Sequence, residues 1–385
     1  MSQTYLTPAS ALWLPAGARS VFGGQIAALC LVCFLACAGL KLRCHNQHLS
    51  QQAACLTVQE HLQPHSLHCY FLAPTSSDKD LNFEVAQVRD GRSFCTRSVR
   101  AYQGGGNVML LLASFHDSQR EAEYSHHCTP PPIIDPCELP SDEQRLLGIM
   151  ADPRLPLAYK GVLQEHLQHL GPIDVRHARD SDPIMPQGEC PAQLVYFKPK
   201  LACGSVAEAA LAACSRLPEL QRNRAAARAH YVASTFASDH MILATAVLPH
   251  TWPNPGISMM ASLDHSMWFH CEPACDSWVT YELQSHRLNT GRGLASGRLF
   301  LLDGVHAAST SQEGLIRFAS PGPPVSRLAF PQSALADFDS DGQPNTKTMP
   351  HQRQVVVSTS SVWAAQDTIV RPRRAARQQA AEAKL

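Results

Sequence analysis

Val88–Ala101 reads VRDGRSFCTRSVRA, and this stretch decides the fold. Asp-Gly between two extended runs is the strongest short signal of a β-hairpin. Phe83, Val85 and Val88 belong to the incoming strand, and Phe94–Gln103 is the return. A Gly104-Gly105-Gly106 turn then leads into a further strand over Val108–Phe115. Upstream, His65–Pro74 (HSLHCYFLAP) reads as another strand, closed by its proline. The pattern predicts an antiparallel meander.

Towards the N-terminus, Ile26–Leu40 reads IAALCLVCFLACAGL, and no charged residue lies from Val21 to Leu40. That length just reaches a bilayer. A helix buried on all sides is also apolar all round, and burial is the expectation here. A first strand before this run is hard to find.

Towards the C-terminus, Pro130-Pro131-Pro132, Pro136 and Pro140 interrupt any core pattern, which predicts a linker with a short helix over Asp142–Met150. Leu194–Lys198 (LVYFK) then reads as a strand. Ser205–Cys214 and Leu217–Leu243 have helical spacing, and Ser205 with Glu208 makes a capping box. Strands follow at Ser258–Cys271, Trp278–Ser285 and Gly293–Leu302, then an Asp303-Gly304 hairpin turn and Val305–Phe318. Each half is a helix followed by strands with an Asp-Gly hairpin, an internal duplication of α+β type. The chain from Ser320 is polar and low in pattern up to the basic Arg371–Arg377 stretch, and reads as largely disordered.

Lys+Arg and Asp+Glu balance at 32 each, so no global field draws the protein to nucleic acid. The 14 cysteines are scattered through 385 residues rather than framed. Reduced intracellular thiols are expected, and no metal site: Cys271 and Cys275 lack a second pair, and His126-His127 beside Cys128 lacks a second ligand cluster. No nucleophile elbow, Walker loop, His-Glu-x-x-His or dinucleotide fingerprint is present. No cofactor is expected.

Three further segments carry the chemistry: Phe236–His240 (FASDH), Ala261–His270 (ASLDHSMWFH) and Ala308–Arg317 (ASTSQEGLIR). In this order and spacing they resemble the acyl-CoA thioesterase II family, the bacterial TesB-like enzymes and their peroxisomal relatives. LWLPAGARSVFGGQ at Leu12–Gln25, HSLHCYFLAP at His65–Pro74 and VRDGRSFCTRSVRA at Val88–Ala101 resemble the family's first half, so the likeness covers most of residues 12–318. It implies a double hot dog, two antiparallel sheets each wrapped around a long helix. The domains expected are 1–128, a Pro-rich linker over 129–160, a catalytic second domain over 161–319 and a tail over 320–385. It also implies an acyl-CoA hydrolase with a trio of Asp239, Ser262 and Gln312.

Those residue types suit the reaction. A thioester carbonyl is electrophilic enough to be attacked by water without a covalent nucleophile, if that water is oriented and partly deprotonated. Asp239 would accept the proton, while Gln312, donor and acceptor at once, and the rotatable hydroxyl of Ser262 would fix the water. Backbone N–H groups near a helix start could stabilise the oxyanion. Asp264 and His265 are expected to order the strand. Phe22-Gly23-Gly24-Gln25 stands where the duplication would put Phe236–His240, so the first domain lacks the acid and its glycines are read as allowing close helix packing.

The chain departs from the family pattern between Gln25 and His65. Residues 26–49 look like an insertion, either a genuine lengthening or translated intron. The last residues, Ala383-Lys384-Leu385, are close to the address read by the peroxisomal import receptor, so the peroxisomal matrix is the expected location, with the cytoplasm as the alternative. Pairing into a homo-oligomer is compatible with the fold. The alternative function is a non-catalytic or membrane-tethered acyl-CoA-binding protein anchored by residues 21–40. A hydratase is disfavoured, since no hydratase-type Asp/His motif lies in a hot-dog helix.

Overall fold

The computed structural model describes residues 3–15, 18–35, 58–59, 61–117, 124–155, 157–178, 190–200, 219–250 and 257–318. The Ser205–Glu208 capping box, most of the expected insertion, the 320–385 tail and its terminal tripeptide lie outside them.

The first half opens with β1 (Gln3–Thr7), followed by helix α1 (Gly23–Leu35). Strands β2 (Gln63–Phe71), β3 (Leu81–Asp90), β4 (Phe94–Gln103) and β5 (Gly106–His116) then form the expected meander. Gly91 N–H donates to Phe94 O at 2.9 Å to close the Asp-Gly hairpin. Cys95, Val99 and Ala101 of β4 point inward on a period of two. Of the apolar run, Ile26, Ala27, Ala28, Cys30 and Leu31 of α1 are buried, and residues 36–40 lie outside those described. Among the described residues, no helix is long and apolar enough to cross a membrane.

Helix α2 (Asp142–Ala151) carries a full capping box, with Ser141 Oγ accepting from Gln144 N–H and the Gln144 side chain accepting from Ser141 N–H. Helix α3 (Leu157–Gln168) and strand β6 (Ile173–His177) follow, neither of them read from the sequence. Next come β7 (Ala192–Pro199), helix α4 (Glu219–Ser238), β8 (Ile257–Ser262), β9 (Asp264–Phe269), β10 (Val279–Asn289), β11 (Arg292–Leu301) and β12 (His306–Phe318).

The architecture is α+β and all strand pairs are antiparallel. The sheets of the two halves join edge to edge into a single sheet of order β1-β3-β4-β5-β2-β9-β12-β11-β10-β7-β6, with β8 also on β12. The seam is β2 on β9, from Ser66 opposite Trp268 to Tyr70 opposite Asp264. Helices α1 and α4 pack against each other, and one apolar cluster runs through both halves, from Leu67 and Phe83 to Met267 and Leu299.

Two expected elements are interrupted, each beside a residue of the expected trio. The strand expected over Ser258–Cys271 breaks at Leu263. Between the pairs Ser262–Gly314 and Ser266–Ser311, β8–β9 advances four residues while β12 advances three, which is a β-bulge. The helix expected over Leu217–Leu243 ends at Ser238, and a separate turn, Ile242–Thr245, follows.

Candidate active site

Asp239 sits in the break after α4. Met241, two residues on, has φ 68 and ψ −18, a left-handed conformation that costs a non-glycine residue about 1–2 kcal/mol. Its carbonyl is over-determined: it accepts from Thr245 N–H (3.1 Å), Thr245 Oγ1 (3.0 Å) and Gln193 Nε2 (3.2 Å). Those bonds hold the turn that takes Asp239 out of the helix.

The first half meets this carboxylate. Gly24 N–H, in the first turn of α1, donates to Asp239 Oδ2 at 2.8 Å. The helix N-terminus, where unpaired N–H groups and the macrodipole favour negative charge, thus faces the acid. Only glycine permits this approach: a Cβ on Gly24 would lie 2.5 Å from Phe236 O and 3.0 Å from Asp239 Cβ. A Cβ on Gly23 would lie 2.6 Å from the Phe71 ring and 2.9 Å from Asp239 Oδ2. These glycines do more than the packing role read for them, since one of them also supplies a donor.

The second half brings the other two side chains. On β12 the inward residues are Thr310, Gln312, Gly314 and Ile316, so Gln312 points at the helices and is fully buried. The bulge at Leu263 lies beside Ser262, whose side chain meets the same amide. Gln312 Nε2 donates to Asp239 Oδ1 at 2.9 Å and to Ser262 Oγ at 2.8 Å. All three residues of the expected trio therefore share one NH2 group, and both Asp239 and Ser262 keep some exposure.

Around them lies a layer that the sequence did not reveal. Asp264 orders the strand as expected, its Oδ1 accepting from Glu313 N–H at 2.8 Å. His265 does not share that role. It is buried, with Nδ1 2.6 Å from Gln312 Oε1 and Nε2 2.9 Å from Ser238 Oγ. Ser238 O in turn accepts from Tyr281 O–H at 2.7 Å, and Tyr281 shares a further hydrogen bond with Thr310 Oγ1 at 2.9 Å. Only the adjacency of Ser238 to Asp239 and of His265 to Asp264 hinted at these contacts, and nothing in the sequence marked Tyr281.

Burial pushes the His265 imidazole below its usual range against the opposing pull of Asp239, so the ring is neutral at physiological pH. Burial lowers His240 in the same way. It raises the Tyr281 phenol and the Cys69 thiol, which keeps both protonated. No group of three or more His, Cys, Asp or Glu among the described residues is arranged to hold a metal ion. The set is a carboxylate, a hydroxyl and a helix N-terminus around a buried amide. It can orient a water, take its proton and stabilise negative charge on an adjacent oxygen.

Comparison with known proteins gives matches on both halves. Residues 205–315 match the family model for acyl-CoA thioesterase, and residues 10–116 match the model for the acyl-CoA thioesterase N-terminal domain. The chain is 32% identical over 305 residues to acyl-coenzyme A thioesterase 8 of Homo sapiens, covering 79% of this chain and 82% of that protein. It is 23% identical over 332 residues to peroxisomal acyl-coenzyme A thioester hydrolase 1 of Saccharomyces cerevisiae, covering 80% and 88% respectively. Among solved structures, an acyl-CoA thioesterase II from Mycobacterium marinum superposes with a TM-score of 0.53 at 27% identity, covering 79% of this chain and 92% of that one.

Proposed function

The chain belongs to the acyl-CoA thioesterase II family, and from that premise we propose that it hydrolyses fatty acyl-CoA to free fatty acid and CoA through the site around Asp239. It is a double hot-dog thioester hydrolase, and we read its halves, residues 1–128 and 161–319, as the two hot-dog domains. The observation that carries the mechanism is the shared amide, with Gln312 Nε2 bonded at once to Asp239 Oδ1 and Ser262 Oγ.

Water binds between Asp239 and Ser262. Asp239 accepts a proton as the water oxygen attacks the thioester carbon, and Ser262, whose Oγ accepts from Gln312, directs its own proton to the water or the carbonyl. The carbonyl oxygen takes on negative charge and is met by the N-terminal turn of α1, where Gly23 N–H stands next to the Gly24 N–H already committed to Asp239. The tetrahedral adduct collapses with loss of the CoA thiolate, which recovers the proton held by Asp239. A preorganised array of this kind needs no reorganisation when charge develops. Because Gly24 comes from the first half and the trio from the second, each chain has one complete site.

Purified protein assayed for thiol release across an acyl-CoA chain-length series tests this reading. Asp239→Asn is expected to lower turnover by about 10²-fold or more, and near wild-type turnover in that variant overturns the assignment.

We propose the peroxisomal matrix as its location, on the similarity to a fungal relative named as peroxisomal, with Ala383-Lys384-Leu385 as the import sequence under test. The import receptor would read that tripeptide directly. Residues 374–385 fused to a fluorescent reporter should give punctate fluorescence coincident with peroxisomes. A diffuse cytosolic signal refutes the placement.

A further inference from the structure

Gln312 carries the site, and the direction its amide faces is a question of chemistry as well as packing. Its Nε2 faces two acceptors, Asp239 Oδ1 and Ser262 Oγ, and its Oε1 faces His265 Nδ1 at 2.6 Å. While Asp239 is ionised, its carboxylate is acceptor-only and repels Oε1, so it helps to hold the amide this way round. That help weakens at the moment of reaction. Once Asp239 has taken the proton from water it is a donor as well as an acceptor, and a flipped amide would suit it equally.

A lock that does not depend on the state of Asp239 must then hold the amide, and one residue is built to supply it. We propose that His265 is a positioning residue for hydrolysis: its Nδ1–H, donated to Gln312 Oε1, fixes the Gln312 amide with the NH2 group towards Asp239 and Ser262 throughout the cycle.

The surroundings fix the tautomer this requires. Gln312 Oε1 can only accept, so Nδ1 carries the proton. The other nitrogen, Nε2, lies 2.9 Å from Ser238 Oγ and in the neutral ring accepts the Ser238 hydroxyl proton. That hydroxyl has an alternative acceptor, Thr235 O at 3.0 Å, but has only one proton to give, and bare Nε2 claims it. Burial keeps the imidazole neutral, so this pattern persists at physiological pH. Ser238 is itself anchored through its carbonyl by Tyr281 O–H at 2.7 Å. The ring is thus held at both nitrogens, by the strand that carries Gln312 and by the last residue of the helix that delivers Asp239. The contact reaches no substrate atom, and its effect passes through Gln312.

The proposal rests on the thioesterase reading, and two variants separate it from a merely structural role. The side-chain amide of Asn superposes its NH2 on Nδ1, whereas that of Gln reaches the position of Nε2. His265→Asn therefore keeps the donor to Gln312, and His265→Gln keeps only the contact with Ser238. In the thiol-release assay, His265→Asn should retain kcat within about 3-fold of wild type, and His265→Gln should lose about 10- to 100-fold with KM nearly unchanged. Equal losses in the two variants, a larger loss in the Asn variant, or a loss confined to KM overturns the proposal.

A second readout does not depend on turnover. In protein labelled with 15N-histidine, the His265 shifts should report a protonated Nδ1 and a bare Nε2 at neutral pH, and the Nδ1 shift should move in Gln312→Leu. The opposite tautomer overturns the proposal even if the enzyme is active. Failure of the wild-type chain to release thiol would instead refute the thioesterase reading, while the 15N result still decides the His265 contact.

Discussion

Gly24→Ala tests whether the two helices must touch for the site to exist. The substitution leaves the Gly24 N–H in place, so it removes no donor and adds only one methyl group. That methyl would sit 2.5 Å from Phe236 O, 2.7 Å from the Phe22 ring and 3.0 Å from Asp239 Cβ. The first of these is backbone and cannot rotate away, so α1 and α4 must separate. Overpacking of this kind costs about 1–3 kcal/mol, only partly offset by up to about 1 kcal/mol from replacing a helical glycine. At about 2–4 °C per kcal/mol for a domain of 150–250 residues, the melting temperature should fall by roughly 5 °C.

The catalytic effect should be larger. A shift of about 1 Å at a reacting group can cost 10²-fold in rate, and the Cβ of Asp239 is one of the atoms displaced. Differential scanning fluorimetry and thiol release from acyl-CoA, measured on the same preparation, give both quantities. Full wild-type kcat alongside a lowered melting temperature would refute the argument, because the carboxylate would then hold its position without the close approach of the helices.

Two other perturbations test the supporting structure. Tyr281→Phe deletes the bonds to Ser238 O and Thr310 Oγ1, leaving buried polar groups unsatisfied. It should lower unfolding stability by about 1–3 kcal/mol in urea titration and reduce kcat, and an unchanged midpoint would count against the role of the phenol. His177, pushed down to about 4 chiefly by burial, with Arg145 and His240 acting the same way and Asp142 opposing, is neutral in the folded state but titrates near its ordinary 6.5 when unfolded. Its contribution is therefore fully present above about pH 6.5 and is lost as pH falls towards about 4. The urea midpoint of His177→Gln should decline less than that of wild type between pH 7 and 4.5. Parallel curves would exclude His177 as a source of acid lability.

The strands were legible because each carries its own punctuation. Asp90-Gly91 and Asp303-Gly304 mark hairpins whose turn geometry is local, and the β4 boundaries, Phe94 and Gln103, coincide with those read from the sequence. Helix α2 was legible to within a residue of its bounds, although the Ser141–Gln144 capping box that opens it was not read from the sequence. What escaped depends on distant parts of the chain. The helix break at Asp239 is enforced by Gln193 and Thr245 acting on a methionine in a left-handed conformation, and no local propensity predicts methionine there. The bulge at Leu263 shows only as a register difference against β12. Asp239, Ser262 and Gln312 were identified through family resemblance, because each alone is an ordinary helix or strand residue. The contacts of His265 to Gln312 and Ser238 were missed because an Asp-His pair on a strand has a simpler local use, which Asp264 alone fulfils.

The seam between β2 and β9 bears on how the protein is made. Tyr70 pairs with Asp264, so the partner of β2 emerges from the ribosome roughly 200 residues later, about 10–40 s at ordinary elongation rates. Throughout that interval the finished meander carries a row of unpaired N–H and C=O groups on β2 and an apolar face awaiting α4. Such an edge is a template for pairing with another nascent chain. Chaperone demand in the cell should therefore centre on the period before β9 appears, and slower translation of the Pro-rich stretch between the halves would lengthen the exposure.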